Sequence, residues 1–232
     1  MAHVHLEDGA FTLFWVAAWS ALAGLVILLA LYRLRGDRMP TSKLAIASMC
    51  VAVGFAAFQI EIPVLGGGVH LNLTPLMGIL VGPSLGSLCV LIINIFSAAI
   101  GHGGWGMIGA NTLVNVSEVV LGYYVYRLLR SRLRIRHFAS GFGAAATALT
   151  ISALVAVAIV SVSDIQGSTQ TGAETLRNML IITVANVLTG LFEGIVTGYI
   201  VSFLGRLRPD LLGESQIVAR KKPVVGELVS SG

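Results

Sequence analysis

The chain has 232 residues, 56% of them hydrophobic and only 11% charged, where a soluble globular protein carries about 25% charged residues. Mean hydropathy is +0.87, and the apolar residues form long unbroken runs rather than the two-residue alternation of a membrane β-barrel. The expected class is an all-α integral membrane protein. The net charge of +4 is no nucleic-acid signal, because the basic residues lie in short runs between apolar segments.

Residues 1–9 are polar and hold His3, His5, Glu7 and Asp8 close together. They lack the basic start of a signal peptide, and arginines follow the first apolar run rather than precede it. The N-terminus is therefore expected to stay on the mature protein. A first helix is predicted over residues 10–33, then Arg33, Arg35, Pro40 and Lys43. A second, over 42–60, stops before Pro63, since the residue ahead of a proline disfavours helix. Residues 61–70 read as a glycine-rich loop with Gly66, Gly67, Gly68 and His70. A short third helix runs to Gly82, and Pro83 suits the first turn of a fourth that ends near Ile100.

The loop over 101–106 holds His102, and a fifth helix is predicted over 107–129. Five arginines, from Arg127 to Arg136, follow. Helix six is placed at 139–162, a polar loop at Ser163 to Thr175, and helix seven at 176–204. Residues 1–205 are read as one membrane-embedded domain and 206–232 as a cytoplasmic tail. With seven spans and the N-terminus outside, every lysine and arginine except Arg177 falls on the inner side, a strong positive-inside bias. His3, His5, His70 and His102 then share the outer face, while His137 is read as a solvated inner-loop residue.

Neutral imidazole is a common ligand for zinc, copper, iron and nickel. A terminal amine, a deprotonated backbone amide and an early imidazole on one ion form fused chelate rings, which force a plane. Square-planar nitrogen coordination points to nickel(II) or copper(II), and His70 can add a ligand from its loop. Carboxylates near the histidines are few, which argues against magnesium or calcium. Cys50 and Cys89 sit in apolar segments without metal-site spacing and read as packed thiols. Glu118 and Glu193 are intramembrane acids, costly and by default functional; pairing with polar neighbours such as Asn115 or Asn186, or contact with a partner, is the expectation for them. Ala17 with Ala21, and Ala52 with Ala56, are small pairs that permit close helix packing; contact inside the bundle is the first expectation and a surface for a partner subunit the alternative. We read no Walker A loop, no His-Glu-x-x-His, no nucleophile elbow and no dinucleotide-binding glycine fingerprint. ATP hydrolysis is not expected of this chain.

Four segments in order carry a resemblance: His5-Leu6-Glu7-Asp8-Gly9, Ile62-Pro63 with the glycine-rich loop ending in His70, Gly82-Pro83, and His102-Gly103-Gly104 followed by Gly109-Ala110-Asn111. The chain resembles, over about residues 3–205, the substrate-capture (S) subunits of energy-coupling factor transporters, in their nickel and cobalt branch, CbiM and NikM. That resemblance implies a bundle of about seven transmembrane helices in the cell membrane, with the N-terminus inserted toward the bundle centre. It implies transported Ni²⁺ or Co²⁺, held in a square plane by the terminal amine, the backbone nitrogen and imidazole of the second residue, and a loop histidine, here His70. It also implies partners: a small companion (N) membrane subunit, a transmembrane coupling (T) subunit and cytosolic ATPase (A) subunits.

The start departs from the family's Met-His. A gapless match places His5 on the family histidine, whereas chelate geometry prefers His3. With Met1 removed, Ala2 supplies the amine and His3 the amide and ring. With Met1 kept, the amine, two amides and the His3 imidazole fill the plane without His70. The favoured set is Ala2, His3 and His70, with His5 as the alternative and His102 and Asn111 orienting the ligands. The functional expectation is a metal-capture subunit of an ATP-driven importer, nickel slightly ahead of cobalt, with no catalytic residues and no bound cofactor. The alternatives are a stand-alone metal permease and an intramembrane metalloenzyme.

Overall fold

The computed structural model describes residues 9–36, 39–64, 67–163 and 172–212, and the side chains of these except 61–70, 172–182 and 185. Helix α1 (Leu13–Leu34) follows a buried Phe11 and closes at Gly36, whose φ of +97° is the left-handed geometry that glycine supplies past a helix end. Helix α2 (Thr41–Phe58) starts directly after Pro40. The predicted loop at 61–70 is instead a β-hairpin, β1 (Glu61–Val64) paired antiparallel with β2 (Gly67–His70), with Glu61 opposite His70. Helix α3 (Thr74–Val81) has Pro75 in its first turn, and Gly82 at φ +87° turns the chain into α4 (Pro83–Ala99).

A single 3-10 turn, Trp105–Met107, leads to α5 (Ile108–Arg127). A π-helical turn at Leu128–Arg132 and a left-handed Arg134 then connect to α6 (His137–Ser163) and α7 (Gly172–Leu207). The last helix therefore starts earlier and ends later than its apolar run alone predicts. A 3-10 turn at Pro209–Leu212 follows and buries Leu212.

Among the described residues, four helical stretches are long and apolar enough to cross a membrane: Leu13–Leu34, Thr41–Phe58, His137–Ser163 and Asn186–Leu207. Helix α4 is apolar but shorter. Helix α3, with eight residues, rises only ~12 Å and cannot by itself cross a ~30 Å hydrocarbon core. Helix α5 is long but polar, and the packing explains it. It touches α1, α3, α4 and α6, so protein rather than lipid meets its Asn111, Asn115 and Glu118. Apart from Tyr124, the large exposed side chains among the described residues lie on other elements, for example Leu25 and Leu28 of α1 and Tyr199 and Phe203 of α7.

The core runs the length of the bundle. Phe58, Met77, Val81, Val90, Ile93 and Val119 join α2, α3, α4 and α5. Phe11 packs with Met107, Val114, Ile159 and Val160, so the start of α1, the start of α5 and the end of α6 share one end. Helices α2 and α4 run parallel: the Cys89 thiol faces the Ala47 carbonyl at 3.7 Å, and the Phe55 and Phe96 rings lie 6.0 Å apart. The hairpin after α2 and the His102 loop after α4 therefore emerge at the same end of that pair.

Three local expectations are corrected. Ala17, Ala21, Ala52 and Ala56 are exposed, so neither small pair packs inside the bundle. One close approach is instead on α7, where Gly190, Gly194 and Gly198 meet Leu149, Phe142 and Phe138 of α6, a spacing of four that keeps all three on one helix face. His137 is no solvated loop residue. It opens α6 half-buried, with Tyr126 Oη 3.4 Å from Nδ1 and an Arg130 nitrogen 3.1 Å from Nε2. The spacings of two enzyme motifs also occur, in Gly82-Pro83-Ser84-Leu85-Gly86 and in Gly101-His102-Gly103-Gly104-Trp105-Gly106. Each follows a helix, α3 or α4, where those motifs need a preceding strand.

Candidate functional site

Four residues after the hairpin bring the chain to the middle of the bundle. Leu71 to Leu73 join β2 to α3, with Leu73 as its N-cap, and N–H groups at and ahead of a helix start find no acceptor within the helix. Two carboxylates from other helices take the donors. The Asn72 N–H donates to Glu193 Oε2 at 2.9 Å and the Leu73 N–H to Glu193 Oε1 at 2.7 Å. The Asn72 side-chain amide donates to both oxygens of Glu118 at 3.4 and 3.5 Å. The Thr74 hydroxyl donates to Glu118 Oε2, and the Ser152 hydroxyl of α6 to Oε1 at 2.8 Å. Both acids are fully buried. Among the described residues all these donors are neutral, and the positive end of α3 adds favourable potential for a negative charge.

This differs from the sequence expectation for the acids. Asn115 donates instead to Asn94 Oδ1 at 2.9 Å, and Asn94 donates to the Thr112 hydroxyl at 3.1 Å, which ties α4 to α5. Asn186 is buried, with its Oδ1 lacking a partner among the described residues. Asn72, Thr74 and Ser152 were missed as site residues. A signal for part of the set exists: Asn111, Asn115 and Glu118 recur at four and three residues on α5, one face of a helix.

The backbone at this turn is held in an uncommon state. Leu73 has φ 53° and ψ 11°, left-handed geometry that costs a leucine about 1–2 kcal/mol. Two consecutive N–H groups bonded to the oxygens of one buried side chain fix the turn and offset that strain.

Of the sequence-predicted ligands, Ala2, His3 and His5 lie outside the described residues. His70 ends β2, two residues before Asn72, so its Cα is within ~7 Å of the anchored turn. His102 sits between Gly101 and Gly103, both at positive φ (80° and 81°), and its N–H donates to the Ser97 carbonyl at 2.8 Å. Asn111 is buried under the same loop, its Nδ2 3.6 Å from where a Cβ on Gly103 would stand. The structure thus joins His102 and Asn111 at one loop. Among the described residues no three His, Cys, Asp or Glu side chains form a metal cage.

Sequence comparison decides the family. The model for the cobalt uptake substrate-specific transmembrane region, CbiM, matches residues 5–211. The chain belongs to the CbiM family. A putative fused nickel transport protein, NikMN, of Archaeoglobus fulgidus is 30% identical over 212 residues, 90% of this chain and 68% of that protein. The cobalt transport protein CbiM of Sorangium cellulosum is 26% identical over 220 residues, covering 93% of this chain and 97% of that one. Two crystal structures share the fold. A transition metal transporter matches with TM-score 0.76 at 18% identity, over 94% of this chain and all of that one. A truncated transition metal transporter gives 0.74 at 21% identity, over 87% and 98%. CbiM membership and the apolar helices agree on a membrane protein of metal-ion transport.

Proposed function

We propose that this CbiM-family chain captures Ni²⁺ or Co²⁺ outside the cell membrane, as the substrate-specific membrane component of an ATP-driven importer of the energy-coupling factor type. The amine of Ala2, the amide and imidazole of His3 and the imidazole of His70 form the plane that holds the ion, with His5 as the alternative to His3. His102 and Asn111 orient this end. Planar nitrogen coordination favours nickel. ATP is hydrolysed on separate cytosolic A subunits, and the T and companion N subunits complete the importer. The N-terminus lies outside, the C-terminal tail inside, and about seven helical segments build the bundle.

The observation that carries this reading is the position of His70. A histidine at the end of an exposed hairpin would be a weak candidate. Here it is followed at once by a turn fixed to α5 and α7 in the bundle interior. Preorganised ligands of this kind are what a tight metal site needs. Two buried acceptors, Oδ1 of Asn72 and Oδ1 of Asn111, have no hydrogen-bond partner among the described residues. Buried acceptors are rarely left unmet, and an entering terminal amine is a donor that fits them.

The test is a nickel titration of the purified chain with its native N-terminus, beside His70→Ala and a form extended at the N-terminus. Both changes are expected to weaken Ni²⁺ binding by more than about 100-fold, since even groups that only orient ligands contribute 10–100-fold. Unchanged affinity in both would discard the site. Metal uptake by the chain alone, in cells without T and A subunits, would favour the stand-alone permease.

A further inference from the structure

We propose that Glu193 is the positioning residue of the capture site, setting the place from which His70 reaches the metal and tying that place to α7. The proposal rests on His70 being a ligand. Three observations carry it. Glu193 accepts both main-chain N–H groups of the turn, from Asn72 and Leu73 at 2.9 and 2.7 Å. Leu73, held left-handed at φ 53°, has no conformational preference of its own for that state. The His70 Cα lies only two residues from Asn72, so the place of the turn bounds the place of that Cα to within ~7 Å.

Glu118 touches the same turn but does a different job. Its donors are the Asn72 side-chain amide and the hydroxyls of Thr74 and Ser152. A hydroxyl rotates and can accept as well as donate. A glutamine at 118 can therefore keep most of that network by reversing one hydroxyl hydrogen bond, that of Thr74 or of Ser152, while its oxygen keeps the Asn72 amide. A backbone N–H cannot reverse. A glutamine at 193 offers one oxygen and one NH₂, so one of the two N–H groups must face a donor. The two acids, alike in burial and type, are thus separable by one isosteric change each.

The full chain with its native N-terminus, in one fixed detergent, is titrated with Ni²⁺ alone. Affinity, the visible ligand-field spectrum at saturation and metal-free melting are read for Glu193→Gln, Glu118→Gln and His70→Ala. Glu193→Gln is expected to weaken binding at least about tenfold and to shift the spectrum of the metal that does bind. Glu118→Gln is expected to weaken it about threefold with the parent spectrum. A Glu193→Gln protein with lowered melting but parent affinity and spectrum shows a structural role only and overturns the proposal. So does an equal loss in the two glutamine variants. If Glu193→Gln does not fold, Glu193→Asp keeps the carboxyl group and both acceptor oxygens but draws them back by one methylene; parent affinity and spectrum there overturn the proposal as well. Parent-like binding by His70→Ala removes the capture site itself. Loss in His70→Ala with an unaffected Glu193→Gln leaves the site standing and removes only the role of Glu193.

Discussion

Gly78→Ala tests the packing that keeps the anchored turn at depth. Gly78 lies where α3 crosses α5. A Cβ there would collide with the carbonyl oxygen of Val119 and stand 2.9 Å from its carbonyl carbon and 3.1 Å from its Cα. These are backbone atoms, so no side chain can rotate away. On the same interface Gly122 faces Pro75, whose Cα would be 2.7 Å from a Cβ at 122. Restoring ordinary carbon contacts of about 3.5 Å parts the helices by roughly 1 Å. Overpacking of this kind costs about 1–3 kcal/mol, or about 2–12 °C in melting temperature for a chain of this size. Gly190→Ala is the internal control. Its nearest neighbour is the Leu149 Cβ at 3.3 Å, and alanine is worth up to about 1 kcal/mol over glycine in a helix interior. Scanning fluorimetry in one detergent is expected to place Gly78→Ala well below the parent and Gly190→Ala close to it. Equal melting of the two variants would refute the reasoning from backbone contact. Because α3 starts at the turn held by the two acids, Gly78→Ala is also expected to weaken nickel binding, which Gly190→Ala should leave alone.

The other predictions concern polar ties. Asn94→Leu strands the Thr112 hydroxyl and the Asn115 amide, at a cost of about 1–3 kcal/mol in thermal unfolding. The double variant with Asn115→Leu is expected to lose less than the sum of the two, and strict additivity would deny the coupling. Trp19→Phe removes the hydrogen bond from Trp19 Nε1 to the Ser163 hydroxyl at 2.7 Å, which joins α1 to the end of α6. A loss of about 1 kcal/mol is expected in the same melting assay. Asp210 hydrogen-bonds to Arg208, which holds its carboxyl below the usual carboxylate range. A lowered carboxyl stabilises above its unfolded value and loses that contribution only as pH falls through the folded one. The pair is exposed and screened, so Asp210→Asn should melt like the parent from about pH 5 to pH 8. A drop as large as that of Gly78→Ala would contradict this.

Most of the helical frame was legible, because an uninterrupted apolar run has few other ways to bury itself in lipid. The break between α3 and α4 was legible too, since Gly82-Pro83 joins a residue free to adopt φ +87° to one suited to a first helical turn. The hairpin was not. Its β2 strand is Gly67-Gly68-Val69-His70, and glycine is depleted in strands. The usable signal was the paired length: two four-residue segments separated in sequence by Leu65 and Gly66. The close α6–α7 contact was not legible for a related reason. Small residues permit close approach wherever they occur, and only the partner face decides between Ala17-Ala21 and Gly190-Gly194-Gly198.

The two acids show where reading by proximity fails. Glu118 and Glu193 each have an asparagine within seven residues on the same helix, and those were the expected partners. Their observed partners are far away in sequence, at 44 and 46 residues on one side of Glu118 and 120 and 121 from Glu193. Two of the donors are main-chain N–H groups, which nearly every residue has and no composition marks. Chemical need is a better guide. A helix that begins inside the bundle, as Thr74-Pro75 signals, leaves N–H groups that only buried acceptors can meet. An acid inside a membrane needs donors that only a turn or a helix start can supply in number. Each is the answer to the other's deficit. That match leads from α5 and α7 to residues 72–74, and from there in two residues to His70.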